Sequence, residues 1–246
     1  MDPYVLGGAP AVDRAIVKAL TAAPRARIQL PVSVATPAVR RYVASLERRF
    51  SYPAKDAELV GLVGLRPSLS EPEAGLRVRK GVMARTIARA LRFGWRGPFR
   101  LATETIEPAV TAENFGPVIV IHRASKELNL YDGERPWRRI PVATGQKRYP
   151  TPLGQFSIVD MQRNPWWRPP ASDWAKGLKP IPPGPGNPLG TRWMGISAPG
   201  VGMHGTPDAR SIGYSASHGC IRMLVSDAEW LFEQVHIGTP VFIVDA

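Results

Sequence analysis

Apolar positions recur along the 246-residue chain with two different periods, and the change of period divides it. In "TPAVRRYVASLERRF" (36–50), Val39, Val43 and Leu46 follow helical spacing, with Thr36 in the N-cap position and Pro37 at the first helical position. In "KGVMARTIARALRF" (80–93), Met83, Ile87, Ala90 and Leu91 share one helix face and Gly94 ends the pattern. Between them "AELVGLVGLRPSL" is short, apolar and broken by glycine, which predicts paired strands. The polar, aperiodic stretch "ETIEPAVTAENFG" (104–116) marks a boundary, so the pattern predicts a small α+β module over 1–112 and a second domain over 113–246.

From "PVIVIH" (117–122) onward the period is that of strands. "LNLY" and "WRRIPVA" flank "DGERP", a hairpin with Asp132 and Gly133 in its turn, and "GQFSIVDM", "TRWMGIS" and "TPVFIVD" add further strands. A single helix interrupts them. "SDAEWLFEQV" carries Ser226 and Glu229 as a capping box, with Ala228, Leu231, Phe232 and Val235 on one face. A helix beginning at 227 leaves Cys220 upstream, beyond the reach of its dipole. The second domain is therefore expected to be β-rich, a sandwich or barrel-like sheet with one or two helices. The 26 prolines fall heavily between 141 and 199, which predicts ordered loops there.

Composition adds little about fold but restricts the partners. With 44% hydrophobic and 21% charged residues the chain buries an ordinary globular core. Its net charge of +12 is uneven: residues 1–115 hold 18 basic and 10 acidic side chains, and 116–246 hold 14 and 10. Such a field favours polyanions, whether nucleic acid, anionic lipid or acidic wall polymer, and equally fits a basic surface with no specific partner. There is no helix-turn-helix spacing, zinc-finger pattern or aromatic RNA motif, so nucleic acid is not expected. Asp2, Pro10, Asp13 and Arg14 interrupt the first twenty residues, which do not read as a signal peptide, and no long apolar run spans a bilayer. The pattern leaves two readings: a cytosolic protein, or a chain that begins after an anchor.

Chemistry concentrates around the one cysteine, in "GYSASHGCIRM" (213–223). A lone cysteine is commonly a small core hydrophobe, and a nucleophilic one needs a partner to take its proton. Of the four histidines, His236 follows the predicted helix and His122 ends a strand, where structural or surface roles suffice. His204 in "GMHGT" and His218 in "SHGC" each precede a glycine, and a strand, a turn and a return bring His204 to Cys220, sixteen positions on. His204, His218 and Cys220 are also zinc-ligand types, but the spacing lacks close Cys pairs or two His on one helix face, and Asp208 is the one nearby carboxylate.

The run "HGTPDARSIGYSASHGCIRM", the helix and "GTPVFIV" strand after it, and upstream "TGQKRYPTPLGQFSI" and "PGNPLGTRWMGI" resemble the L,D-transpeptidase catalytic domain. The front part, through "EAGLRVRKGVMARTIARAL" and "IEPAVTAENFG", is more weakly similar to a peptidoglycan-binding module. The resemblance implies an enzyme that cross-links peptidoglycan stem peptides, with Cys220 as nucleophile, His204 as its base or ion-pair partner, and the Gly205 carbonyl orienting the imidazole. It further implies an oxyanion hole from the amides around His218, Gly219 and Cys220, with Ser217 and His218 shaping the site. Arg222 then either holds a substrate carbonyl or carboxylate or braces the loop. No metal or organic cofactor is implied. Carbapenem β-lactams are implied as covalent inhibitors, and the site of action as the cell envelope outside the cytoplasmic membrane. Membrane attachment would come only through an N-terminal anchor, which implies a truncated or processed start. The same chemistry serves an L,D-carboxypeptidase or a protein-anchoring transpeptidase, and a non-catalytic wall-binding protein remains a rival. "NPWWRPPASDWAKGLKPIPPGPGNPLG" reads either as a lid that excludes water or as packing, with Trp166, Trp167 and Trp174 as its aromatic content.

Overall fold

The structure, a computed structural model, describes residues 4–95 and 97–246. Asp2, one of the four residues on which the reading of the first twenty positions rests, lies outside the described residues. The chain separates into two compact units: residues up to Asp56 with Pro72–Ala109, and Ala57–Glu71 with Val110–Ala246.

In the first unit the helices Thr36–Phe50 and Lys80–Arg92 pack through the stripes their periodicity predicts. Val39 and Val43 meet Met83, Ile87 and Leu91, together with Leu6 and Val78. The strand Gly75–Val78 pairs antiparallel with Thr103–Ile106, and Gly8–Pro10 with Val32–Val34. Thr36 is not the cap. The Ala35 carbonyl accepts from the amides of Ala38 and Val39, which puts Ala35 at the N-cap and Thr36 inside the first turn. A further helix, Val12–Leu20, has no buried residue, and its apolar stripe of Val12, Ile16, Val17 and Leu20 faces no core.

The second unit is built on an eight-stranded sheet in the order Ile221–Leu224, Gly202–Thr206, Arg192–Ile196, Gly154–Arg163, Pro240–Val244, Pro117–His122, Glu127–Asp132, Arg135–Pro141. Two pairings are parallel, Gly202–Thr206 with Ile221–Leu224 and Pro240–Val244 with Pro117–His122; the other five are antiparallel. Just past the last strand, Ala143 bridges Arg222 on the first, so the sheet nearly closes on itself. The helix Val225–Gln234 buries Ala228, Leu231 and Phe232 in the interior with Ile119, Ile121, Met194, Met203 and Ile221.

The run "PVIVIH" is apolar throughout because both faces of that strand are covered. Ile119 and Ile121 face the interior, whereas Val118 and Val120 meet Tyr131, Phe242, Leu59 and Leu62 on the other side. Leu59 and Leu62 belong to the hairpin of Leu59–Val63 and Arg66–Leu69, which is therefore part of the second unit although it precedes the predicted boundary. The main-chain amide of Leu69 donates to Glu134 at 2.6 Å within that unit. Ser226 and Glu229 form no capping box. The strand Ile221–Leu224 runs directly into the helix, Leu224 holds the N-cap position, and the Glu229 carboxylate accepts from Thr191 Oγ1 at 2.7 Å. Among the described residues no helix is long and apolar enough to cross a membrane.

Candidate active site

His204 stands in the middle of the Gly202–Thr206 strand, opposite Trp193 on one neighbour and Arg222 on the other. The strand is buried along its whole length, and His204 is 4% exposed. Its Nδ1 lies 2.6 Å from the carbonyl oxygen of Gly205. A carbonyl only accepts, so Nδ1 carries the proton and Nε2 is left with its lone pair. Burial drives the His204 pKa down to about 4, with the Gly205 hydrogen bond opposing and the Arg222 charge reinforcing the shift. Near neutral pH the imidazole is uncharged.

Cys220 precedes the strand Ile221–Leu224, next in the sheet to that of His204. Its Sγ is 3.7 Å from the Gly200 carbonyl oxygen. Burial raises the thiol pKa, against smaller lowering effects of the Gly202 amide and Arg222. The His204 shift is downward and the Cys220 shift upward, so both groups are neutral near pH 7.

The loop that presents Cys220 is held from within and from behind. Ser217 Oγ donates to the Cys220 carbonyl at 2.6 Å and accepts from the Gly219 amide at 3.1 Å. Thr151, fully buried, donates to the Gly219 carbonyl at 2.9 Å and accepts from the Gly145 amide at 2.8 Å, while Gly145 pairs with Ser217 in a short parallel ladder. Gly219 has φ +112°, a conformation side-chain-bearing residues rarely adopt. At Gly145 a Cβ would lie 2.1 Å from the Tyr149 carbonyl oxygen, so only glycine fits there. The sequence reading missed Thr151; a bond spanning 68 positions leaves no local periodicity to find.

This network corrects one expectation. The Gly219 amide is occupied by Ser217 Oγ, so it is not a free oxyanion donor, and the amides of His218 and Cys220 are the remaining ones of that set. The His218 ring stacks on Trp174, with centroids 4.0 Å apart and planes 14° apart, and lies 5.0 Å from the Tyr149 ring. Arg222 exchanges both main-chain hydrogen bonds with Ala143, at 2.8 and 2.9 Å, while its side chain faces the cavity. It thus braces the sheet closure and lends positive charge to the site.

The cavity has a volume of about 840 Å³ and is lined by Tyr149, Trp174, His204, His218, Cys220 and Arg222 among others. Its outer wall is the proline-rich segment at 164–190, and Trp166, Trp167 and Trp174 all line the cavity. Asn187, 1% exposed, ties this segment together: Nδ2 donates to the carbonyls of Pro165, Pro182 and Ile181, and Oδ1 accepts from the Leu189 amide. Trp167 and Ile181 pair across it. Among the described residues no three His, Cys, Asp or Glu side chains gather as a metal site. His122 and His236 stand apart: neither lines this cavity. His236 Nδ1 is 3.0 Å from the Ile237 carbonyl oxygen, and the buried Nε2 of His122 has no partner among the described residues.

Residues 116–243 match the family model of the L,D-transpeptidase catalytic domain, YkuD. The chain is 35% identical over 135 residues to the putative L,D-transpeptidase YqjB of Bacillus subtilis, covering 52% of this chain and 72% of that protein. It is 31% identical over 204 residues to a putative L,D-transpeptidase from the ATP synthase subunits region of Fuscovulum blasticum, covering 81% and 98%. Among solved structures it is similar to L,D-transpeptidase 3 from Mycobacterium tuberculosis with a faropenem-derived adduct, at 19% identity and a TM-score of 0.44 over 59% of this chain and 71% of that one. With the family model covering more than half of its length, the chain belongs to the L,D-transpeptidase family and is an enzyme of that type.

Proposed function

We propose that the chain forms peptidoglycan cross-links by two-step acyl transfer on Cys220, with His204 as general base. The observation that carries this reading is one cavity shared by the only cysteine and a neutral histidine whose tautomer is fixed by Gly205. As Sγ attacks the amide carbonyl before the terminal D-Ala of a tetrapeptide stem, the thiol proton passes to His204 Nε2. The tetrahedral oxyanion takes hydrogen bonds from the main-chain amides at His218 and Cys220. On collapse, the C–N bond breaks, His204 returns its proton to the departing D-Ala nitrogen, and a thioester remains. The amine of a second stem then attacks that thioester, gives its proton to His204, and expels Cys220, which recovers it as a thiol. The site needs no metal for these steps.

Arg222 contributes the positive charge that a stem carboxylate or carbonyl meets on the cavity wall, and the wall of Trp167 and Trp174 keeps water from competing with the amine. Peptidoglycan stems as donor and acceptor place the enzyme in the cell envelope. A carbapenem, whose strained ring amide is an acyl donor, reacts at the same sulfur. The test is product analysis with purified tetrapeptide stems. With an acceptor amine present, mass spectrometry should find D-Ala released and a cross-linked dimer of stems. Tripeptide as the main product under those conditions would assign an L,D-carboxypeptidase instead, and no turnover would remove the enzymatic reading.

A further inference from the structure

The first unit carries most of the charge of the chain and two apolar surfaces that the rest of that unit leaves open. Residues up to 56 and 72–109 hold 17 of the 32 Lys and Arg residues and 7 of the 20 Asp and Glu residues, giving +10 of the net +12. Between the helices Thr36–Phe50 and Lys80–Arg92 lies a cavity of about 520 Å³ whose walls are almost wholly apolar, among them Leu46, Phe50, Met83, Ile87, Trp95 and Phe99. Trp95 is 58% exposed and Phe99 44%, and the neighbouring Phe93 is 79% exposed. Such aromatic exposure around an apolar opening is uncommon on a surface that meets only water.

Basic side chains alternate with these rings. Arg49 precedes Phe50 and lies over its ring at 5.3 Å, Arg89 lies over Phe93 at 6.0 Å, and Arg100 follows Phe99. Arg48, Arg49, Arg89, Arg92 and Arg100 are all exposed. The ion pairs within this unit use Lys55, Arg77 and Lys80, and none of these five arginines, among the described residues. The helix Val12–Leu20 supplies the second open surface: Val12, Ile16, Val17 and Leu20 are each more than half exposed, with Arg14 and Lys18 between them.

Exposed aromatic and aliphatic groups interleaved with arginines that form no ion pair among the described residues match an interface that is anionic outside and apolar a few ångströms further in. We propose that the first unit docks on an anionic phospholipid bilayer, with Trp95, Phe93 and Phe99 entering the headgroup boundary, an acyl chain reaching the Phe50–Ile87 cavity, and the arginines meeting lipid phosphates. A soluble polyanion such as an acidic wall polymer accounts for the arginines but leaves the open apolar surfaces without an occupant. The inference does not depend on the acyl-transfer reading, because none of these residues belongs to the Cys220 cavity.

The experiment is sedimentation of the full chain with vesicles of phosphatidylcholine alone and of phosphatidylcholine with phosphatidylglycerol. Binding is expected only to the anionic vesicles. Each of Arg49→Gln, Arg92→Gln and Arg100→Gln should lower the partition by about fivefold, the equivalent of about 1 kcal/mol per basic residue at a charged surface. Trp95→Ala with Phe99→Ala should lower it by about tenfold, with the circular dichroism spectrum unchanged. No binding to anionic vesicles overturns the proposal. So does anionic binding that the two aromatic substitutions leave intact, which is adsorption by charge alone. Concentration-dependent dimerisation that disappears in the aromatic variant without vesicle binding would assign the surface to a second copy of the chain and likewise overturn it. Acylation of Cys220 by a carbapenem should be unchanged in every one of these variants, which keeps this test separate from that of the active site.

Discussion

Replacing Thr151 by valine removes one hydroxyl and nearly nothing else, and the structure sets what that hydroxyl does. Thr151 Oγ1 is fully buried and stands between the Gly145 amide and the Gly219 carbonyl. Valine keeps the volume but leaves a buried N–H and a buried C=O without partners, each costing about 1–3 kcal/mol. The sum, about 2–6 kcal/mol, is a large share of the stability of a domain this size. At roughly 2–4 °C per kcal/mol, the melting temperature of the second unit should fall by about 4–24 °C. Because Gly219 adjoins Cys220 and holds φ +112°, the loss also loosens the loop that aims the sulfur. Carbapenem acylation of Thr151→Val, measured by intact-protein mass against time well below its melting temperature, should be slowed by at least tenfold. Thr151→Ser retains the hydroxyl and should acylate close to wild type while melting slightly lower. A Thr151→Val protein that melts within a degree of wild type and acylates at the same rate would refute the reasoning.

Protonation of His204 gives a second prediction. Its pKa is lowered to about 4, so its base form persists well into acid, and the acylation rate should lose activity only as pH falls through about 4. A midpoint near 6.5 would mean that burial does not hold the imidazole neutral. The same shift bears on stability: unfolded His204 binds its proton below about 6.5 and the folded form does not until about 4, so stability is full above 6.5 and is lost as pH falls across that window, by about 3 kcal/mol. Chemical denaturation of wild type and His204→Gln between pH 7 and 4.5 checks the sign, since the pH dependence should be shallower in the variant. Asn187→Ala removes the bonds that gather Pro165, Ile181, Pro182 and Leu189, and should make the 164–190 segment several times faster to cut by limited proteolysis, with the central sheet unaffected. An unchanged cleavage pattern would mean the segment is held by its other contacts.

The elements with a period were legible in the sequence, and those set by distant partners were not. Val39, Val43, Met83, Ile87 and Leu91 mark two helices because each stripe faces a core. Val12, Ile16, Val17 and Leu20 mark the helix Val12–Leu20 at the same spacing, but that stripe faces no core and went unread. Capping residues misled twice, at Thr36 and Ser226, because a main-chain carbonyl in one case and sheet register in the other decided where the helix begins. The hairpin at 59–69 was readable as strands, but its allegiance depends on the outward face of Val118 and Val120, a pairing that no local pattern records. In the site, the glycines beside His204 and His218 drew attention to both histidines and to Cys220. What stayed hidden was the supporting shell: Thr151 behind the loop, Asn187 in the segment over the cavity, and the use of the Gly219 amide by Ser217.

The central claim is that Cys220 is the nucleophile and that neutral His204 takes its proton. Intact-protein mass spectrometry of wild type, Cys220→Ala and His204→Gln mixed with a carbapenem at neutral pH tests both halves together. Wild type should gain one drug mass, Cys220→Ala none, and His204→Gln the same single mass about 10²–10⁴ times more slowly, the range for loss of a general base. A Cys220→Ala protein that still gains the drug mass, or a His204→Gln protein labelled at the wild-type rate, would contradict the account.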